Sequence, residues 1–527
     1  MSKKDINLQE LSRIISVDQV DTDSITAYAN DSEWKQFLIH DIPYRRILSP
    51  PKVKGLEMTD NDLREIGWTK YPTYSAYISL MKAFEQEYPH LCRLDTLGYS
   101  VRGKVLLAAR ITGTQKKDTE KPSFFYTAQI HGDEIATSII MLRLIDTLLT
   151  AYSDSTEIWD LVENTIIWIN PLANPDGAYY ISNSTLDGCI RYNANEVDLN
   201  RDFPLPNQGI IGKKKERQPE TLAMMTFAER YPIRMSANFH AGNECVNYPW
   251  DYTEVSHPES EWFLSVSHEY ADTARYYSPD TYMSNFDKGV TNGWDWYPIY
   301  GGRQDYMTFF HACKEVTIEI SDTKKLPASE LNKFWTYNKR SLLNFIKRVN
   351  EGIFGDFRKW NSYPVAIEIL SIPDLIIPLQ SKDSLFFYPL EAGSYDICLQ
   401  FAEHSDTLWH LEVNPYELTP LVPSLTHAYQ TMNKPNKFTL HPPYPNPFNA
   451  ATMIVLQTPF EGVVEIKIYD ICGRMVKRLY NGNLSRGFHT FFWNGVNSDG
   501  KRVSSGIYII EAQQAAVALR QKALLIQ

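Results

Sequence analysis

The sequence predicts an α/β unit, a mixed sheet with helices on both faces, followed by two small all-β sandwich domains. Three observations predict it. Buried-strand runs alternate with helix-period segments between residues 73 and 350, which is the pattern of βαβ units. Beyond about residue 358 the pattern shifts to short alternating runs bounded by Gly and Asn turns. The chain has 527 residues, 43% hydrophobic and 22% charged, enough apolar material for several cores and too much for general disorder.

Taken in order, residues 1–66 are polar and weakly periodic and read as an N-terminal arm or the remnant of a pro-segment. The unit from 67 to 357 holds a helix over 73–89, strands over 104–112 and 123–130, a helix over 134–152, a strand over 164–171, strands over 233–239 and 314–320, and a helix over 328–350. Residues 358–425 form the first β domain, 426–437 a polar linker, and 438–527 the second. Within the strand KEVTIEI, alternation predicts that Glu315 faces solvent. Trp294 and Trp296 read as core, and the lysine-rich loop 210–220 as a solvated surface.

Charge narrows the partners. The formal net charge of −11 repels polyanions, so nucleic acid is not an expected ligand. The six cysteines form no C-x-x-C pair, which removes thiolate zinc sites and redox motifs of that type. No apolar run is long enough to span a bilayer. The first residues lack the apolar h-region of a signal peptide.

The chemistry sits at strand ends. His131 and Glu134, in HGDE, follow the strand SFFYTAQI, where an imidazole and a carboxylate at this spacing can share one zinc ion. Alone that signal is weak. His240 ends the strand IRMSANFH, on the sheet edge where α/β folds place ligands, and completes a three-ligand set. Glu319 lies within an apolar strand, where a carboxylate needs a partner.

With these residues in place the chain resembles the M14 zinc metallocarboxypeptidases, over about residues 70–352. The resemblance implies one Zn²⁺ held by His131, Glu134 and His240. In RYNANEVDLNR it implies that Arg191 polarises the scissile carbonyl while Asn200 and Arg201 hold the terminal carboxylate, a grip suited to a planar guanidinium. Glu319 matches the general base, which takes a proton from the zinc-activated water. Tyr297 matches the tyrosine that caps the substrate, with Gly301 and Gly302 giving its loop freedom. The segment from Thr291 to Ile320 is closer to the carboxypeptidase N/E branch, which implies a pocket built from Asp251 and Gln304 and a preference for C-terminal Lys or Arg. Arg303, beside Gln304, departs from the branch and would weaken that preference if it faced inward. Ala241 and Asn243 depart as well.

Residues 358–425 occupy the place of the branch's transthyretin-like domain. The last module, with HPPYPNPFN, IYDICGRMV, FFWNG and SSGIYII, resembles the type A sorting domains of type IX secretion. That resemblance implies a secreted or cell-surface protein, made from a start upstream of the given one, with the secretion machinery as a partner. The expected function is therefore a zinc carboxypeptidase acting on peptide or protein C-termini. A zinc deacylase on a small acylated substrate and an inactive surface-binding protein are the alternatives.

Overall fold

The computed structural model describes residues 7–21, 23–47, 56–206, 217–359, 364–373, 375–379, 385–401, 407–421 and 437–525, the last without 442, 444, 445, 447, 449–451, 485, 499 and 516. Most of the 210–220 loop, the linker up to 436 and most of the Pro-Asn-Pro-Phe segment lie outside the described residues. The chain divides into two compact units, one of Met1–Phe203, Glu216–Gly352 and Tyr388–Glu391, the other of Pro204–Lys215, Ile353–Phe387 and Ala392–Gln527.

The residues read as a loose arm have structure. A hairpin of β1 (Ser16–Val20) and β2 (Ile25–Tyr28) precedes helix α1 (Asp31–Leu38). Asn30 starts α1 with a full capping box to Glu33, a device that satisfies two backbone donors the first turn leaves unpaired. Leu11, Ile15, Val17, Ile25 and Phe37 pack into one small core with Tyr297 and Ile299. The weak local periodicity missed it because these contacts are to a distant segment.

The first unit is then built from α2 (Tyr74–Glu87), β3 (Cys92–Tyr99), β4 (Val105–Ile111), β5 (Ser123–Ala128), α3 (Ala136–Thr150), α4 (Thr156–Asn164) and β6 (Ile166–Asn170). It continues through α5 (Pro219–Arg230), β7 (Ile233–His240), β8 (Asn243–Tyr248), α6 (Ser260–Tyr276), β9 (Val290–Asn292), α7 (Arg303–His311), β10 (Lys314–Ser321) and α8 (Leu331–Lys347). These strands form one eight-stranded sheet in the order β9-β8-β10-β7-β5-β6-β4-β3. The four central strands, β10, β7, β5 and β6, are mutually parallel.

Both faces are covered, which explains the continuous apolar runs. Phe124, Tyr126, Ala237, Phe239, Val316 and Ile318 face α2, α3, α6 and α8, while Phe125, Trp168 and Ile233 face α5 and α7. Each such aromatic, fully buried, contributes roughly 1.5–3 kcal/mol by leaving water. Two-sided coverage also corrects the expectation for Glu315. It is buried, and its Oε2 meets Arg303 Nη2 at 3.1 Å and accepts from Ser236 Oγ at 2.5 Å.

The first β domain has a three-stranded sheet (Leu385–Pro389, Gly352–Asp356, Leu418–Leu421) and a four-stranded one (Ile376–Pro378, Pro364–Ile369, Gly393–Phe401, Thr407–Val413). Its first strand therefore begins ahead of residue 358. The last module repeats the plan with Thr439–Leu440, Thr452–Thr458 and Gly487–Trp493 in one sheet and Met475–Leu484, Gly462–Asp470, Gly506–Gln514 and Val517–Leu525 in the other. Alternate inward residues Ile466, Ile468, Ile510, Leu456 and Trp493 make its core. No described helix is long and apolar enough to cross a membrane.

Candidate metal centre and active site

The site forms where the parallel strands end. Past β5 the chain turns at Gln129 with a positive φ of 56°, and Gln129 Nε2 donates to Gly132 O at 2.9 Å. Gly132 has no room for a side chain, because a Cβ there would lie 2.2 Å from the Gly177 backbone. The Asn174–Ala178 turn thus presses directly on the HGDE loop, and Asn174 Nδ2 ties Ile130 O to Arg191 O at 3.1 and 3.3 Å. Asn174, with Pro175, Asp176 and Gly177, is scaffold for the site.

His131, Glu134 and His240 converge, their candidate ligand atoms all within 4.8 Å of one another. His131 Nδ1 lies 2.8 Å from Glu134 Oε1 and 3.1 Å from His240 Nδ1, and His240 Nδ1 lies 2.9 Å from Glu134 Oε2. That last approach lacks hydrogen-bond geometry and leaves Oε2 buried without a partner. Two imidazole nitrogens facing each other beside an orphaned carboxylate oxygen is an arrangement that a cation satisfies. Two nitrogens and an oxygen from three side chains, with room for a further ligand, is the donor set of a catalytic zinc.

Against burial and the Arg191 charge, the carboxylates of Glu134 and Asp198 hold His131 above its usual value, and the proton this favours is one that a ligand to a metal gives up. Burial opposes charge on Glu134, but His131 and His240 hold its carboxyl well below the usual range. Burial lowers His240 to about 4, so its ring is neutral and free to ligate near neutral pH. Behind His131, Nε2 sits 3.1 Å from Asp198 Oδ1, and Asp198 Oδ2 accepts from Arg191 Nε at 2.9 Å. Asp198 therefore orients a metal ligand and the arginine together, a role like that of carboxylates behind zinc-bound histidines. Sequence reasoning missed it, although the residue stands in the segment EVDLNR that it used.

Glu319 lies beside His240 through the parallel register of β10 and β7. Its Oε2 is buried without a partner. Burial and the neighbouring Glu134 charge push its carboxyl well above the usual range. A buried carboxyl set against a like charge, beside the candidate metal ligands, is what this supplies.

Arg191, Asn200, Arg201 and Tyr297 line the same cleft as the metal triad and Glu319. Asn200 Oδ1 accepts from Arg303 N at 2.9 Å, and Arg201 Nη1 donates to Asn200 O at 2.9 Å. Gly301 brings one stretch of backbone close to another. With φ at +82°, it lets the loop approach the Arg201 backbone, where a Cβ would lie 2.7 Å from Arg201 O. Trp294 and Trp296 are only half-buried, a correction to the core reading, and Trp296 borders the cleft and packs on Tyr297. A short helical turn, Gly293–Trp296, carries them.

Asp251 and Gln304 are buried and are not among the residues that line this cleft, although Asn247 is. A hydrogen bond runs from Gln304 Nε2 to Asp251 Oδ1 at 3.0 Å. Asn247 Nδ2 donates to the same oxygen at 3.0 Å. Gln304 Oε1 and Asn247 Oδ1 are buried acceptors without partners. Burial pushes Asp251 up to about 6. Asp305 holds the loop by accepting from Asp251 N at 3.1 Å. Asn247 and Asp305 carried no motif in the sequence. Arg303 is buried too, but its charge is met by Glu315 and its Nη1 donates to Thr127 Oγ1 at 2.6 Å, away from Asp251.

One feature of the cleft comes from the arm. Asp18 Oδ1 accepts from Arg191 Nη1 at 3.0 Å and from Lys324 Nζ. Lys324 and Arg191 hold its carboxyl below the usual range against the effect of burial.

A family model described as zinc carboxypeptidase matches residues 77–341. The chain belongs to the M14 zinc carboxypeptidase family. It is 32% identical over 358 residues to carboxypeptidase M of Mus musculus, covering 64% of this chain and 79% of that protein. With carboxypeptidase SOL1 of Arabidopsis thaliana the identity is 36% over 292 residues, covering 54% and 57%. Carboxypeptidase D of Anas platyrhynchos shares 34% over 333 residues, covering 60% of this chain but 24% of that protein. The chain thus spans from about a quarter to just over half of the length of these last two. Among solved structures, carboxypeptidase A from Helicoverpa armigera aligns at a TM-score of 0.49 and 17% identity, covering 64% of this chain and 91% of that one. A second family model, the FlgD Ig-like domain, matches residues 449–516, in the module built as two packed β-sheets.

Proposed function

We propose that this M14 family member is a metallocarboxypeptidase that removes the C-terminal residue of peptides or proteins, with a preference for Lys or Arg. The observation that carries it is the convergence on one cleft of the His131, Glu134 and His240 set, two guanidinium groups, and the unpartnered Glu319. Zinc, when bound, acidifies a water and polarises the scissile carbonyl. Arg201 and Asn200 hold the terminal carboxylate and so fix which peptide bond lies in reach. Arg191, oriented by Asp198, supplies a second positive group to the oxygen on which charge develops. Glu319 accepts the water's proton and delivers it to the leaving amine. Tyr297 closes over the bound residue.

The pocket supports the preference. Gln304 Oε1 and Asn247 Oδ1 offer unused acceptors beside the Asp251 carboxylate, and a guanidinium or ammonium satisfies them where an apolar side chain leaves them unpaired. The test compares matched peptides ending in Arg, Lys, Phe and Glu, with and without chelator. Chelation should abolish turnover of all of them, and turnover of Phe equal to that of Arg would overturn the pocket assignment.

We also propose that the last module is a type IX sorting domain and the protein secreted or cell-surface, with the secretion machinery as its partner. Its motif order supports this. The masses of the two termini of material recovered outside the cell would test it, and recovery from cytosol alone would contradict it.

A further inference from the structure

We propose that the β1–β2 hairpin is a built-in competitor of substrate, a strand that occupies the carboxylate-binding groups and must withdraw before a peptide C-terminus can enter. The inference rests on the carboxypeptidase reading of the same cleft.

Every cationic group assigned there to substrate already has a partner from the arm. Arg201 Nη2 donates to Val17 O at 3.1 Å, Arg191 Nη1 donates to Asp18 Oδ1 at 3.0 Å, and Tyr297 Oη lies 3.5 Å from Asp18 O. An acidic side chain and two carbonyl oxygens thus stand where a carboxylate and a scissile carbonyl would. Val17 is fully buried in the core that contains Tyr297 and Ile299. The cleft keeps only about 20 Å³ of free space, room for about one water.

Asp18 is aimed by the backbone. The hairpin register shifts between Val17 and Gln19, so Asp18 is the extra residue of a bulge, a device that redirects a side chain out of a ladder. Beneath it, Lys324 Nζ and the Arg191 guanidinium lie 4.9 and 5.4 Å from the Tyr28 ring centroid. Lys324 belongs to none of the catalytic roles above, and in this arrangement it pairs with the arm. Two-stranded ribbons are marginal by themselves, so this one is held by the site it fills and can be displaced by a ligand that fills it better.

The experiment uses the full, zinc-loaded chain and its Asp18→Ala, Asp18→Asn and Ile25→Ala variants, the last loosening the opposite strand from a position that does not itself line the cleft but shares a core with Tyr297. Steady-state hydrolysis of benzoyl-Gly-Arg and benzoyl-Gly-Phe gives KM and kcat. Calorimetric titration with free arginine and free phenylalanine gives product affinity without turnover. The expected result for Asp18→Ala is a KM lowered about tenfold or more, product affinity raised in the same proportion, and kcat within about twofold. Ile25→Ala should move both in the same direction by less, and it decides the matter if the Asp18 variants do not fold. KM and product affinity within twofold of wild type in the folded variants, at equal zinc content, would overturn the proposal and leave the peptidase reading standing. Absence of turnover in every chain, with tighter product binding in Asp18→Ala, would support the competitor and contradict the peptidase reading.

Discussion

Glu315 and Glu319 stand on the same face of the same strand, four residues apart, and both are buried. Each keeps one oxygen without a partner. What differs is the charge beside them. Glu315 faces the Arg303 guanidinium at 3.1 Å and a serine hydroxyl, whereas Glu319 has no cation within 4 Å among the described residues and lies near a second carboxylate, Glu134. The lesson is that burial alone does not mark a reactive group. A carboxylate with its counter-charge belongs to the scaffold, and one set against a like charge and a metal position is held in reserve for chemistry.

The comparison breaks most directly by neutralising each residue. Glu319→Gln should lower kcat/KM by roughly 10²–10⁴ or more, the span of general acid–base contributions, with zinc content and melting temperature near wild type. Glu315→Gln should instead destabilise the chain by about 3–5 kcal/mol, because Arg303 is left buried with its charge unmet. Folded Glu315→Gln should turn over at close to the wild-type rate. Urea unfolding beside rate measurements separates the two outcomes.

Asp198→Asn should have a smaller effect. It removes the charge that joins His131 to Arg191, and metal affinity or activity should fall by about 10–100-fold, read by competition with a chelator. A fall in KM alone would contradict the orienting role.

The smallest expected effect is on selectivity. Asp251 titrates near 6 because it is buried. A carboxyl raised in this way is neutral below that pH and charged above it. The ratio of kcat/KM for Arg over Phe peptides should therefore fall as pH drops through about 6, and Asp251→Asn should flatten that dependence. A ratio that stays constant from pH 5 to 8 in the native chain would contradict the pocket.

Much of this was legible in the sequence, for physical reasons. Strands β5, β7 and β10 read as buried runs because both faces of the sheet are covered. His131, Glu134, His240 and Glu319 stand where those runs end or pass, but that signal alone is weak, and the resemblance to the M14 family singled them out. The same coverage misled at Glu315, since alternation signals solvent only when one face is open. Its partner Arg303 comes from α7, and no local pattern connects them. Asp198, Asn247 and Asp305 act through contacts made only after the loops fold. The hairpin left little periodic signal because Val17 and Ile25 pack against Tyr297 and Ile299, far along the chain.

The central claim is that Glu319 is the proton-transfer group of a metal-dependent cleft. Zinc stoichiometry and single-turnover rate, measured together on wild type and Glu319→Gln, test it most directly. One zinc per chain in both, with turnover lost only in the variant, is the predicted result. A variant that binds one zinc and still cleaves at the wild-type rate would contradict the account.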